Sequence, residues 1–474
     1  MIAIFKTGLK LGTAAALAAF VATAPQSARA ETLADALVGA YTTSGLLDQN
    51  RALLRAADED VATAVSALKP ILNWSADLTR TFGDTLGDTT FGQARSLSNT
   101  SVSVGLLAQI LLWDSGAAAF GIDVAKESVL ATRQTLISIE QQVLLRAVSA
   151  YMSVRSASEF VALRQNNLRL LTEELRAARD RFEVGEVTRT DVALAQARQA
   201  EARSGLATAQ GDLLQAQEEY ENVVGRRPQR LATPPSLPRT ETDVRAAKAR
   251  AVRTHPDLRA AQHQVAASEL AIKRAEAAMN PTLRATGRLG VTENFNSESY
   301  TRSGSIGLEV SGPIYQGGAL SSAVRRQMAQ RDAQRANLYI VRNNIEQNVG
   351  NAFAQFSSTR ASLASSDERI RAARIAFRGV REEAALGART TLDVLDAEQE
   401  LLNAEAARIS AQANLYIASY SILASMGLLT AENLRLGVQQ YDPSAYYNLV
   451  KEAPAARTKQ GRQLDRVLRA LQKD

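Results

Sequence analysis

The chain has 474 residues, no cysteine and a formal charge of +6. Without thiols there is neither a disulfide framework nor the lipid-bearing cysteine of a lipoprotein, so any anchor must come from the fold. Basic and acidic residues nearly balance and no basic face forms ahead of the C-terminal tail, which argues against nucleic acid as a partner.

Residues 1–30 read as a signal peptide. Lys6 and Lys10 precede an apolar run from Leu11 to Ala24, and Ala28-Arg29-Ala30 supplies the small residues at which a signal peptidase cuts. The mature chain is expected to begin near Glu31, with 52 basic residues against 49 acidic ones, or +3. Beyond Ala30 no stretch approaches the roughly 18 to 20 apolar residues of a membrane helix. Scarce aromatics and abundant alanine suit long, closely packed helices.

From there on the chain repeats itself. A shift of 202 positions (303 minus 101) lays Ser101–Gly225 on Ser303–Gly427 without a gap. Upstream the shift is 211, the separation of Pro70 from Pro281, so one loop is nine residues longer in the first copy. A period of this size fixes the architecture before any local motif does. The first repeat is read as 31–225 and the second as 241–427, with a proline-rich linker at 226–240, an equatorial segment at 428–450 and a tail at 451–474.

Each repeat is expected to open on a helix, Glu31 to Leu68 and Glu241 to Met279, ended by Pro70 and by Asn280-Pro281. A strand pair follows, at about 71–110 and about 282–312. Trp74, Ala76, Leu78 and Phe82 alternate with Ser75, Asp77, Thr79 and Thr81, and Ile306, Leu308 and Val310 alternate with Gly307, Glu309 and Ser311. Period-two alternation marks strands with one apolar and one polar face, and about ten residues suffice for a tilted strand to cross an outer membrane. A soluble sheet with one wet face fits the alternation equally well, and the signal peptide with no other anchor favours the membrane. Arg80 on the apolar side fits only near a rim. The polar stretches Gly83–Ser96 and Thr292–Arg302 read as hairpin loops.

Residues 117 to about 183 and 319 to about 386 contain no proline, enough for helices of roughly 65 residues, on the order of 100 Å each. Gly185 and Gly387 are placed to end them with a left-handed cap. Return helices then carry a heptad seam through Val192, Ala195, Gln199, Ala202, Leu206, Ala209, Leu213, Ala216 and Tyr220, matched in the second copy from Val394 to Ile422. Alanine at every second contact lets the facing helix approach closely. Two antiparallel coiled-coil hairpins, at 117–224 and 319–426, are therefore expected. Trp113 and Tyr315 occupy matched positions between strand and helix, where an aromatic belt would meet the headgroup boundary; core aromatics beside a turn are the plain alternative.

Four strands cannot close a membrane barrel, and an open edge in lipid leaves backbone groups unpaired at several kcal/mol each, so the chain must associate. At the second turn, Asp393 and Asp396 share a helix face, and symmetry would gather their carboxylates around one axis. Like charges that close raise some of their pKa values or recruit cations. Locally, Thr188 with Asp191 and Thr390 with Asp393 also fit N-terminal capping boxes, and the two roles can coexist. Asp396 has no capping role. Its first-copy counterpart is Leu194.

The segment from Gly387 to Ala397, the Pro313–Gly318 junction and the helix start His255-Pro256-Asp257-Leu258 resemble the TolC family of outer-membrane efflux ducts over about residues 31 to 430. That resemblance implies a mainly α fold with a small transmembrane β part, two tandem repeats per chain and a homotrimer. A twelve-stranded barrel in outer-membrane lipid would be closed only in the trimer and continued by a long helical barrel. It further implies that aspartates matching Asp393 and Asp396 form rings at a periplasmic gate, and that an arginine matching Arg389 links to the pair matching Thr190 and Asp191. Ala384 stands where well-studied relatives carry a tyrosine that helps hold the gate shut. A periplasmic adaptor and an inner-membrane ABC or proton-driven transporter are the implied partners of such a passive channel. Two histidines without a partner motif, no phosphate loop and no nucleophile elbow leave no basis for catalysis, a metal or a cofactor. The tail from Lys451 is basic and carries a short amphipathic helix with Leu464, Val467, Leu468 and Leu471, read as a solvated, flexible end. A periplasmic coiled-coil scaffold without a pore is the alternative of a different class.

Overall fold

The computed structural model describes residues 30–85, 95–296 and 298–471; the segment expected to be a signal peptide, part of the first hairpin loop and Lys473 lie outside them. In chain order the elements are α1 (Leu33–Thr43), α2 (Gly45–Ser66), β1 (Ile71–Thr85), β2 (Arg95–Trp113), α3 (Ala117–Glu183) and α4 (Arg189–Val224). The second copy supplies α5 (Val244–Thr254), α6 (Pro256–Ala277), β3 (Thr282–Asn294), β4 (Tyr300–Ser311), α7 (Ala319–Ala385) and α8 (Thr391–Ser425), and then come α9 (Pro443–Val450) and α10 (Lys459–Leu471). The two shifts hold to the residue. Adding 211 to the bounds of α1 and α2 gives those of α5 and α6, and adding 202 to the bounds of α3 gives those of α7.

The opening helix of each copy is broken: the second copy starts anew at His255-Pro256, the helix start that its sequence indicates, and the first copy breaks at the equivalent place, where an unbroken run to Leu68 is expected. Ser44 is extended, with φ −68° and ψ 108°, and so is its counterpart His255, with φ −63° and ψ 129°. At His255 the cause is Pro256, which occupies the first helical turn while His255 Nδ1 accepts from the Asp257 amide at 3.2 Å. Position 45 holds Gly45 instead, so in the first copy no proline enforces the break that the repeat preserves.

Contacts divide the chain into two compact units, each drawing on both repeats: Met1–Ser44, Leu144–Arg239 and Phe356–Tyr420 form one, and Gly45–Val143, Thr240–Gln355 and Ser421–Asp474 the other. The second unit holds an antiparallel sheet in the order β1-β2-β3-β4. Its register gathers every alternating apolar run onto one face. Trp74 pairs with Leu106, Leu106 with Leu289, Ala285 with Leu308 and Leu283 with Val310. The other face is polar, pairing Arg284 with Glu309 and bonding the Ser103 hydroxyl to Asp77 Oδ2 at 2.6 Å. Among the described residues nothing covers the apolar face, and Trp74 is 75%, Phe82 80% and Ile306 95% exposed. β2 runs on to Trp113 through an irregularity after Leu111, further than the expected end near residue 110. Arg80 pairs with Thr100, five residues before the loop end of β1 at Thr85. Among the described residues no helix is long and apolar enough to cross a membrane.

In the first unit α3 and α4 pack as a hairpin, with Ala195, Ala202 and Ala209 buried along the seam, and Leu175, Ala178 and Ala195 form one of its clusters. The second hairpin repeats this with Ile370, Ala373 and Ala404. Gln199, which interrupts the apolar seam, donates to Thr172 Oγ1 at 2.9 Å, and Arg408 bonds Asp367 at 2.8 Å. Both polar interruptions thus reach the facing helix. The linker lies against the helices: the Tyr151 hydroxyl donates to Ala232 O at 2.7 Å and that of Tyr416 to Pro235 O at 2.9 Å.

Gly225 closes α4 in the left-handed region, φ +81°, where a Cβ would stand 2.7 Å from Thr43 Oγ1. Gly427 is its counterpart, φ +75°, with a Cβ 2.9 Å from Pro256 Cδ. Gly225→Ala is expected to lose about 1–2 kcal/mol to backbone strain and more to the clash, seen as a lowered midpoint in thermal denaturation. An unchanged midpoint would show that the cap bears no strain.

Candidate functional site

The two hairpin turns are built alike. α3 ends with Gly185 N bonding Phe182 O at 3.0 Å and Glu186 N bonding Arg181 O at 2.9 Å; α7 ends with Gly387 N on Ala384 O at 3.1 Å and Ala388 N on Glu383 O at 2.9 Å. Both glycines lie in the left-handed region, φ 80° and 76°, which a residue with Cβ enters at a cost. After five residues the return helix starts on a Thr-x-x-Asp box.

At the first turn Asp191 Oδ2 accepts from the Thr188 amide at 2.9 Å and hydroxyl at 2.7 Å. At the second, Asp393 Oδ2 accepts from the Thr390 amide at 3.0 Å and hydroxyl at 2.8 Å. The Thr188 hydroxyl, then its amide, holds Asp191 below the usual carboxylate range, and the Thr390 amide, then its hydroxyl, does the same for Asp393. Both are anionic at neutral pH. Thr190 is exposed beside its capping aspartate.

Arg389 pairs across its own turn, Nε to Glu383 Oε2 at 2.8 Å, and this bond with the added charge of Asp393 raises its pKa. Among the described residues no bond joins Arg389 to Thr190 or Asp191 within the chain. Asp191 is engaged by its own cap, and Glu383 is six residues from Arg389 across a tight turn. Asp396, one turn beyond Asp393, bonds Arg198 Nη2 of α4 at 3.0 Å, and Arg198 also holds Glu201 at 3.2 Å. Ala384 is half-buried on α7. Trp113, the last residue of β2, and Tyr315, in the connection from β4 to α7, are exposed at the root of the sheet.

Sequence patterns missed what joins the hairpins to each other. Three polar links cross between them near the turns: Arg198 to Asp396, Arg381 to Glu174 at 3.2 Å, and Asn167 Nδ2 to Glu398 Oε1 at 3.0 Å. Leu171, Ala202 and Leu395 pack in the same region. Glu398 is 4% exposed, and no hydrogen bond reaches its Oε2. Burial pushes its carboxyl up to about 7, assisted by Glu174 and opposed by Asn167 and Arg381. Only its place beside the seam residue Ala397 hinted at an inward position.

A single family model, described as outer membrane efflux protein, matches residues 41–226 and again 248–428. The chain belongs to the outer membrane efflux protein family. The two matches fall on the two repeats. Outer membrane efflux protein BepC of Brucella suis is 35% identical over 455 residues, 95% of this chain and 97% of that one. Outer membrane protein TolC of Escherichia coli is 25% identical, across 80% of this chain and 78% of its own. The Campylobacter jejuni CmeC outer membrane channel has the same fold, with a TM-score of 0.73 at 16% identity, covering 90% of both chains. The family fold is TolC-like, and this member is a protein of the outer membrane with a periplasmic extension.

A carboxyl whose pKa is raised on folding favours the packed state below its unfolded value near 4.5 and penalises it as pH climbs toward 7. Stability should therefore fall between pH 5 and pH 8, by up to about 3 kcal/mol per chain. Thermal denaturation across that range checks this. Glu398→Gln, which keeps the Asn167 bond, is expected to flatten the profile and raise stability at pH 8; an equally steep variant would place the titrating group elsewhere.

Proposed function

We propose that three copies of this chain form a passive export duct, gated by the hairpin turns. The observation that carries the reading is an open four-stranded sheet with its apolar face uncovered, in a chain that also holds two 67-residue helices. Three sheets of four supply twelve strands, enough to close a barrel around a wet lumen lined by the polar face. The family's efflux and channel relatives support transport rather than catalysis.

The gate is assigned to Asp393 and Asp396, repeated around the threefold axis, with Arg389, Thr190 and Asp191 available for contacts between neighbouring copies. Asp393 supplies a charge that its cap keeps ionised. Asp396 and Arg198 form a latch between the hairpins that must part if the second hairpin swings outward. Cations would gather at the carboxylate ring in the closed state. Because Ala384 offers no hydroxyl, closure leans more heavily on the three links between hairpins. Trp113 and Tyr315 are assigned to the headgroup boundary at the barrel root.

An energy source must come from outside, from an inner-membrane transporter coupled through a periplasmic adaptor. Val184 and Leu386, equivalent positions in the two turns, are 72% and 87% exposed and offer apolar contacts to such a partner.

Single-channel recording in planar bilayers tests the gate. Asp396→Ala is expected to raise conductance and to weaken block by multivalent cations about tenfold, the ratio that ~1.4 kcal/mol of lost attraction gives. Unchanged conductance and block would remove Asp396 from the gate, and a chain released from cells by osmotic shock without any conductance would make it a scaffold. Docking is checked separately: Leu386→Glu should reduce adaptor copurification severalfold while leaving conductance intact.

A further inference from the structure

The C-terminal helix is not a solvated end. Leu464 is buried against Ala62, Tyr446 and Val450, with Ala453 and Leu468 packed beside them. Gly461 is buried so close to the preceding loop that a Cβ there would lie 2.2 Å from Ala455 O. Thr458 caps the helix, its hydroxyl accepting from the Gly461 amide at 3.0 Å. These contacts fix the roll of α10 about its axis.

With that roll fixed, the opposite face is a stripe of cations. Lys459, Arg462, Arg466 and Arg469 step by three, four and three, and all four are exposed. Lys473 continues the spacing in sequence. Among the described residues none of the four has a carboxylate within ion-pair distance, and Asp465 is the one acidic residue of α10. Elsewhere on this protein arginines pair freely, as Arg369 does with Glu400 and Arg374 with Glu405. A row of four like charges held in register costs repulsion unless something anionic lies against it.

The location points to what that is. Lys69, two residues ahead of β1, donates through Nζ to the carbonyls of Glu452 and Ala453, six residues before α10 begins. Ala62, the contact of Leu464, lies four residues from the end of α2, which leads straight into β1. Five residues from Ser66 to Ile71 and one helical turn bound the distance from this contact to the start of the strand at roughly 24 Å. The apolar face begins there, with Leu72 and Trp74 exposed. A cationic helix face at that level meets the headgroup layer, where basic residues are attracted to anionic lipid within a Debye length.

We propose that the Lys459–Arg462–Arg466–Arg469 stripe binds the anionic headgroups of phospholipids in the leaflet on the helix side of the barrel, tying the C-terminal segment to the membrane. The proposal rests on the sheet being the membrane-embedded part, and on nothing in the gate. Full-length protein extracted in mild detergent, with phosphatidylglycerol or phosphatidylcholine added, is examined by native mass spectrometry for retained lipid. The wild type should keep phosphatidylglycerol in preference to phosphatidylcholine, and raised salt should abolish the preference. R462Q/R466Q/R469Q should reduce it about tenfold or more, given three lost lipid-facing charges. R176Q/R179Q/R203Q, which removes as many exposed arginines from the first hairpin, should leave it intact. Circular dichroism and planar-bilayer conductance should match the wild type in both variants, so a failed duct would be recognised apart from a failed lipid site. The proposal is overturned if the α10 variant keeps its lipid, if the hairpin variant loses it equally, or if the stripe variant loses binding to isolated peptidoglycan sacculi while its lipid retention stays whole.

Discussion

The two outer edges of the sheet carry the constraint on which the rest depends. Among the described residues β1 and β4 each present a row of backbone donors and acceptors without a strand partner, beside an apolar face left exposed. Lipid would cover the apolar face but leave the edges without hydrogen-bond partners, whereas water would solvate the edges but not the apolar face, so neither medium suits a single copy. The duplication supplies the answer. Inside the chain β2, the second strand of one repeat, already pairs antiparallel with β3, the first strand of the next. Joining β4 of one copy to β1 of another repeats the same kind of junction. In the proposed trimer the internal seam would thus be the template for the seam between chains, and a ring of such seams would leave no edge.

Much of the fold was legible because duplication makes each element visible twice. Alternation placed the strands, and the register then put both copies' apolar residues on one face. The break at Ser44 was not legible locally, because Gly45 follows it and nothing there forbids helix; Pro256 announces the equivalent break, and the shift of 211 transfers it. The end of β2 was hidden for another reason. Ile110-Leu111-Leu112-Trp113 is apolar without alternation, and only pairing with β3 shows that the strand continues through an irregularity. The packing of the tail is hidden because an amphipathic helix does not reveal its partner, which here lies about 400 residues away in α2.

The site divides along the same line between local and distant. The boxes at Thr188 and Thr390 span three residues, so sequence alone identifies them. Arg198 with Asp396 and Asn167 with Glu398 are separated by 198 and 231 positions, and nothing short of packed helices brings them together. Arg389 illustrates the converse: the family resemblance pairs it at a distance, while the chain offers Glu383 six residues away. Within one copy the near partner wins, because closing a short turn costs little entropy. A neighbouring copy would have to compete with that bond.

Asp393, Asp396 and Glu398, past the second turn, sit in three different surroundings, and the difference would bear on how the proposed gate holds and releases. Asp393 is charged because its cap stabilises the anion. Asp396 faces a guanidinium across a half-exposed gap, where screening makes the pair worth little on its own. Glu398 is buried with one oxygen unsatisfied, so the packed arrangement prefers it protonated. Ionising Glu398 would favour any state that lets water reach it, and Arg381, already paired with Glu174, is poorly placed to compensate. The cap of the second turn thus favours a charged carboxylate, while the interface between the hairpins holds a carboxyl that opposes packing once it ionises. Such a division would suit the proposed gate, whose tip would keep its shape while its flank parts.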